Sequence, residues 1–342
     1  MTELHFGIVG TGMVANYHAE AIAKTEGARL VAVCRANAGA SVEAAERFGV
    51  PCEPHLDALL ARHDIDAVCI CTPSGLHAAQ TIAAAQAGKH VLVEKPIALT
   101  LADADAMIAA CHTAGVQLGV ALQRRTDPEF QAVRTAIEAG ELGRLTLGAV
   151  SVPYLRPQSY YDSADWRGTW ALDGGGALMN QGIHLVDLLL WFMGDVAQVQ
   201  AAAATLTHNI EVEDCITASL RFANGALGSI VATTSAAPGF PHRVEVYGDR
   251  GGVQIEGEHV IRWGAPDKET KRHGDTETSA TVAAGAGASP TGISTAGHTR
   301  IVQDFVAAAR EGRVPLVSGE EGRRSLALVL AMYEAASLRV TG

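Results

Sequence analysis

The stretch Phe6-Gly7-Ile8-Val9-Gly10-Thr11-Gly12-Met13-Val14-Ala15 decides the fold. Residues 6–9 suit a buried strand, and residues 13–24 carry the apolar spacing of a helix. Strand, glycine turn and helix in that order form the setting in which Gly-x-Gly-x-x-Ala binds a dinucleotide. Gly10 permits the tight turn, Gly12 lets the main chain approach a pyrophosphate, and Ala15 allows close packing of helix on strand. The helix N-terminus then offers N–H groups and positive dipole to the phosphates. Gly10, Thr11, Gly12, Met13 and Val14 are the candidate pyrophosphate contacts. The alternative, a glycine turn that holds no ligand, is weakened by the sequence that follows.

The alternation continues with strands at residues 30–34, 67–71, 90–93 and 117–121 and helices at 40–48, 77–87 and 101–114. Near-continuous apolar strands separated by helices imply a parallel sheet covered on both faces. Residues 1–122 are therefore read as a doubly wound α/β domain of the Rossmann type. In NAD-preferring sites an acidic residue ends the second strand and holds the ribose 2′-hydroxyl. Here that place is Arg35, with Asn37 close behind and no acid before Glu43. A cation suits a 2′-phosphate, so NADP is expected ahead of NAD. Otherwise Arg35 stacks on adenine or points to solvent.

Beyond residue 122 the rhythm changes. A helix at 128–139 is followed by strands at 145–152, 196–206, 216–222, 227–234, 243–247 and 252–256, two of them around the hairpin signal Asn224-Gly225. A helix pattern fills 177–193, residues 274–297 read as a long loop, and helices at 299–311 and 320–340 close the chain. Residues 123–342 are read as a second, α+β domain with a large open, mainly antiparallel sheet, and no internal repeat is visible.

Composition agrees with two packed domains: 342 residues, 48% hydrophobic and 18% charged. A net charge of −11 argues against nucleic acid as a partner, because phosphate backbones attract clustered cations. The richest apolar run, residues 185–193, is too short to span a bilayer and contains Asp187. The first residues lack the basic and apolar regions of a secretion signal, so a cytoplasmic location is expected. The six cysteines form no CxxC pair. Cys69 and Cys71 share one face of a strand, which imitates a metal pair, but a buried free thiol is the commoner case and no metal is expected.

Three further blocks point one way. Thr72-Pro73-Ser74-Gly75-Leu76-His77 follows the third strand, Ala87-Gly88-Lys89-His90-Val91-Leu92-Val93-Glu94-Lys95-Pro96 ends the fourth, and Gly174-Gly175-Gly176-Ala177-Leu178-Met179-Asn180-Gln181-Gly182-Ile183-His184 precedes Leu185-Val186-Asp187. With the glycine turn, these blocks resemble the Gfo/Idh/MocA oxidoreductases, and the likeness covers nearly the whole chain, including Tyr247-Gly248 and residues 305–315. The resemblance implies an N-terminal dinucleotide domain and a C-terminal sheet that carries a sugar site and often an oligomer interface. It implies an NAD(P)-dependent dehydrogenase acting on a secondary alcohol of a sugar or sugar derivative, assembled as a homodimer or homotetramer. Tyr160-Tyr161 through Trp166-Arg167-Gly168-Thr169-Trp170 looks most like the sugar, sugar-nucleotide and sugar-uronate dehydrogenases. Two other readings on the same scaffold are a dinucleotide-sensing regulatory protein, and a redox-neutral glycosidase or epimerase that retains its cofactor.

Hydride removal from a C–H bond requires the adjoining hydroxyl to lose its proton, so the site needs a base and a donor to the developing alkoxide. Lys95, at the C-terminal edge of a sheet strand, and His184 meet both demands. Pro96 stiffens the turn after Lys95, and the resemblance implies a cis peptide there. Asn180 and Asp187 stand four before and three after His184, so a regular helix projects all three from one face. Several polyol-oxidising relatives carry Asp where this chain has Asn180, which leaves the division of labour between His184 and Lys95 open. Arg124, Tyr161 and Arg167 are the remaining substrate candidates, arginine being the bidentate partner of carboxylate or phosphate. Thr72, Pro73, His77, Glu94, Trp166 and Trp170 are expected around the cofactor with Lys95 and Arg35. For the two tryptophans packing is the competing role, and for His77 it is capping of the helix that starts there.

Overall fold

A computed structural model describes residues 3–35, 39, 41–265, 268–272 and 295–338. Asn37 and most of the expected loop at 274–297 lie outside the described residues. The chain forms two compact units, Met1–Thr126 with Ser294–Leu326, and Asp127–Ile293 with Ala327–Gly342. The expected division at 122/123 therefore needs one correction, because the closing segment returns to the first unit.

The first unit is built on a six-stranded sheet of β1 (Leu4–Val9), β2 (Ala28–Cys34), β3 (Cys52–Glu53), β4 (Ala67–Ile70), β5 (His90–Val93) and β6 (Leu118–Val120). Its order is β3-β2-β1-β4-β5-β6, and every pairing is parallel. Helices α1 (Met13–Ala23), α2 (Ser41–Phe48), α3 (Leu56–Leu60), α4 (His77–Gln86) and α5 (Leu101–Ala114) fill the crossovers. This is the doubly wound architecture, whose ligands bind beyond the C-terminal strand ends near β1 and β4, where the order reverses. The two-residue β3 carries too little pattern to be read from sequence.

The second unit contains α6 (Pro128–Glu138), β7 (Leu145–Pro153), the single turn α7 (Gln158–Tyr161), α8 (Ile183–Met193), β8 (Val196–Ala204), β9 (Cys215–Phe222), β10 (Leu227–Thr233), β11 (Arg243–Gly248), β12 (Gly252–Glu256), β13 (His259–Ala265) and β14 (Lys268–Arg272). Its eight-stranded sheet has the order β14-β13-β12-β11-β7-β10-β9-β8, antiparallel except for β7 beside β10. The last two strands were not expected, since β13 lacks a clean alternation and β14 is a short charged run. One face is covered by α8, and Gly148 permits the approach: a Cβ there would stand 2.8 Å from Met193 Cγ.

Helices α9 (Ala296–Glu311) and α10 (Gly319–Ala335) complete the chain. Val302, Phe305 and Val306 of α9 join Phe6, Ile8, Val33 and Leu92 in the core of the first unit, which is why this late segment belongs there. Burial of such side chains stabilises by roughly 1.5–3 kcal/mol each.

Candidate active site

In the first unit the glycine turn has the geometry that its sequence requires. Gly10 has φ +90°, and a Cβ there would stand 2.8 Å from the Cys71 carbonyl oxygen. A Cβ on Gly12 would meet nothing within 4 Å, so open space lies where a pyrophosphate would approach. Gly12 caps α1 without any side-chain hydrogen bond, leaving the first-turn N–H groups for a ligand. The residues present therefore fit a dinucleotide.

Arg35 donates to Thr11 Oγ1 at 3.4 Å. A second guanidinium, Arg47 of α2, donates to the Thr11 and Gly12 carbonyl oxygens at 3.2 and 3.3 Å and to Asn16 at 2.9 Å. Among the described residues neither arginine has a carboxylate partner. Arg47 was missed because its neighbourhood reads as an ordinary amphipathic surface helix.

Three loops leave the neighbouring strand ends. Thr72 bonds Gln80 through its hydroxyl at 2.6 Å, and Pro73 precedes a short turn at Ser74–Leu76. His77 is fully buried, with Nδ1 2.8 Å from the Pro96 carbonyl oxygen and Nε2 3.0 Å from that of Thr72, so it ties two loops together. Burial lowers its pKa. The Lys95–Pro96 peptide is cis. The Glu94 carboxylate takes a hydrogen bond from the Lys95 main-chain N–H at 3.2 Å and stands 2.7 Å from His18 Nε2. Arg124 lies on the short turn Gln123–Thr126 just after β6.

In the second unit the expected helix at 177–193 is two elements. Ala177–Gly182 forms a π-helical turn, and α8 begins at Ile183. A π-turn inserts extra backbone relative to regular helix, so Asn180 and His184 lie on two different elements. Asn180 donates to Asp173 at 2.5 Å and accepts from Gln181 at 3.2 Å. Asp187 is wholly buried.

Around Asn180 lies a polar network that the sequence disclosed only in part. Gln181 donates to the Tyr160 hydroxyl at 3.1 Å and accepts from Arg156 at 2.7 Å. Arg167 donates to the same hydroxyl at 2.6 Å, with its guanidinium 4.3 Å from the Tyr160 ring centre and 4.6 Å from that of Trp166. Tyr161, the residue chosen from sequence, is buried and bonded to Thr234 at 2.9 Å; Tyr160 takes its place in the network. Trp170 packs edge-on against Tyr333.

The glycine triplet rests on two residues that sequence reasoning missed. Glu213 accepts from Gly176 N–H at 2.9 Å, Leu178 N–H at 2.8 Å and the Tyr333 hydroxyl at 2.8 Å. A Cβ on Gly176 would stand 1.9 Å from the Glu213 carbonyl oxygen, and one on Gly175 2.1 Å from the Tyr333 hydroxyl. Burial pushes the Glu213 carboxyl up to about 7, against the downward pull of those three donors.

Residues 4–122 match the oxidoreductase family with an NAD-binding Rossmann fold, and residues 130–254 match the GFO/IDH/MocA C-terminal domain. Among solved structures, the WlbA dehydrogenase from Bordetella pertussis in complex with NADH and UDP-GlcNAcA is 36% identical, with a TM-score of 0.87 over 98% of this chain and 96% of that one. D-apiose dehydrogenase of Paraburkholderia graminis is 31% identical over 95% of this chain and 86% of its own length. Inositol 2-dehydrogenase of Rhizobium meliloti is 29% identical over 95% and 94%. Among the described residues, no helix is long and apolar enough to cross a membrane.

Proposed function

This chain belongs to the Gfo/Idh/MocA oxidoreductases and is an NAD(P)-dependent dehydrogenase of sugar derivatives, and from that premise we propose that its substrate carries an anionic group. The observation behind this reading is Arg167: among the described residues it has no carboxylate partner, and its Nε is buried without a hydrogen bond. Aromatic faces and a phenol hydroxyl hold the cation in place and leave its charge to be matched by a ligand. Arg156, linked to it through Gln181 and the Tyr160 hydroxyl, adds to the same field. The UDP-GlcNAcA bound by the Bordetella relative is an anion, which supports the reading.

In the proposed reaction His184 accepts the hydroxyl proton, and Lys95 donates to the oxygen as negative charge grows. Asn180 and Gln181 orient the substrate, and Arg124 is proposed as a further contact. The bound dinucleotide supplies the hydride acceptor or donor. Its pyrophosphate is assigned to Gly10, Thr11, Gly12, Met13 and Val14, and its adenosine 2′-phosphate to Arg35 and Arg47, which favours NADP over NAD. Self-association is assigned to the open face of the second sheet, where Leu147, Leu227 and Val231 are exposed.

The test is a panel of sugar uronates, sugar nucleotides and neutral cyclitols, followed by nicotinamide absorbance with each cofactor. Turnover of anionic substrates is expected, and exclusive turnover of neutral polyols would refute the proposal. Lys95→Ala and His184→Ala are each expected to lose about 10² to 10⁴ in kcat, the range for a positioned acid or base.

A further inference from the structure

Beneath the Lys95 turn lies a buried cluster that the reaction as described does not use. His18 of α1 is wholly buried, and His298 of α9 and Glu94 are nearly so. His18 Nε2 stands 2.7 Å from Glu94 Oε1, and His298 Nε2 stands 3.9 Å from the same oxygen. The His298 ring packs edge-on against His18 at 5.4 Å and stacks on Tyr17 at 5.4 Å. The thiols of Cys69 and Cys71 face His18 from the end of β4. On the other side of the turn, His77 carries the Pro96 carbonyl. These groups, with Lys95, are the titratable side chains that surround Glu94 from the packed elements.

The 2.7 Å separation is that of a shared proton. Two ligands of one tetrahedral zinc ion, each roughly 2.0–2.1 Å from it, would stand further apart, at roughly 3.3 Å. A buried carboxylate is stable only when it is paired and hydrogen-bonded. Glu94 meets that demand by dividing its two oxygens: Oε1 takes the His18 proton and Oε2 takes the Lys95 main-chain N–H.

We propose that His18 and Glu94 are positioning residues for Lys95: their hydrogen bond fixes the main chain at Lys95 and keeps a carboxylate charge beside its ammonium. Burial alone would raise the Glu94 carboxyl, but the hydrogen bond and charge of His18, then the charges of His298 and Lys95, hold it at about 2. The carboxylate in turn favours the ammonium form of Lys95, the form that donates to an alkoxide. The assignment rests on the proposed role of Lys95, so its test includes a measurement that needs no turnover.

Glu94→Gln keeps the shape of the side chain and removes its charge. His18→Leu removes the donor, and His18→Gln retains one. In the full-length protein, competitive acetylation of Lys95 read by mass spectrometry across pH reports its titration directly. The midpoint is expected to fall by about one unit or more in Glu94→Gln, the effect of losing a neighbouring charge, and to fall in His18→Leu as the unpaired carboxylate turns away from the Lys95 turn. The alkaline limb of kcat should move down with it, and kcat at a pH on that limb should fall about tenfold, the equivalent of one unit. His18→Gln should recover the wild-type midpoint and most of kcat. An unmoved midpoint in Glu94→Gln overturns the proposal even if His18→Leu fails to fold, as does a His18→Gln protein whose midpoint falls by the full amount. A shifted midpoint together with a Lys95→Ala protein that keeps the wild-type rate would refute the dehydrogenase role of Lys95 and still support the positioning pair.

Discussion

Arg167 is held by rings and a phenol, an arrangement that fixes a guanidinium without neutralising it. A charge-assisted bond to an anionic substrate is worth about 1.5–3 kcal/mol, so Arg167→Ala should raise KM for such a substrate by about 10- to 100-fold. A neutral polyol should be almost unaffected, and equal losses for both would remove Arg167 from recognition. The opposite experiment suits the cofactor: Arg35→Asp should lower kcat/KM with NADP and raise it with NAD, and a wild type favouring NAD tenfold or more would refute the assignment. Asn180 shows how the structure changes a sequence argument. Its amide already bonds the Asp173 carboxylate, so Asn180→Asp would bring two carboxylates together before it could serve His184. Gly10, Gly12, Lys95 and His184 were visible as candidates because each sits in a contiguous block with one mechanical reading. Tyr160, Gln181, Arg156 and Arg47 were not, because their roles arise from pairings between distant segments. His18 left a visible trace: it falls on the buried stripe of α1 with Ala15, Ala21 and Ile22, where a polar residue needs a partner.

At the scale of elements, the alternating first sheet was readable from periodicity alone, and the break before α8 was not. The π-turn at Ala177–Gly182 follows three glycines, two of which, Gly175 and Gly176, let Tyr333 and Glu213 close on the main chain. The motif therefore reads as a seat for the turn that leads into the His184 helix, fixed by two residues far away in sequence. Tyr333→Phe would leave the Met179 N–H without its partner and take one donor from Glu213. A loss of about 1–3 kcal/mol in unfolding free energy is expected, the cost of unsatisfied buried groups. Calorimetric unfolding that coincides with wild type would show that the hydroxyl bears no load there. Gly176→Ala should be worse, because the atom it would meet is backbone and cannot swing aside.

At the scale of the molecule, buried groups in each unit respond to pH, and two of them do so with opposite signs. In the first unit Glu94 is held at about 2, and burial with the nearby His18 charge lowers His298 to about 4. Both folded values lie below the unfolded ones, so the unfolded chain binds more protons, and stability is lost as pH falls from about 6.5 towards about 2. In the second unit Glu213 is raised to about 7, so between its ordinary value and 7 the folded state binds the extra proton. Stability there declines as pH rises through that window, by up to about 3 kcal/mol for a shift of this size. Glu213→Gln isolates the effect. Its amide nitrogen must face at least one of the three donors, which lowers stability by an amount independent of pH. The informative quantity is thus the slope: the Tm of Glu213→Gln relative to wild type should climb between about pH 5 and about pH 8 as the wild-type carboxyl loses its proton in a buried site. A difference that stays constant across the range would mean that the three donors hold Glu213 ionised throughout, and the glycine triplet would then rest on a permanent buried charge.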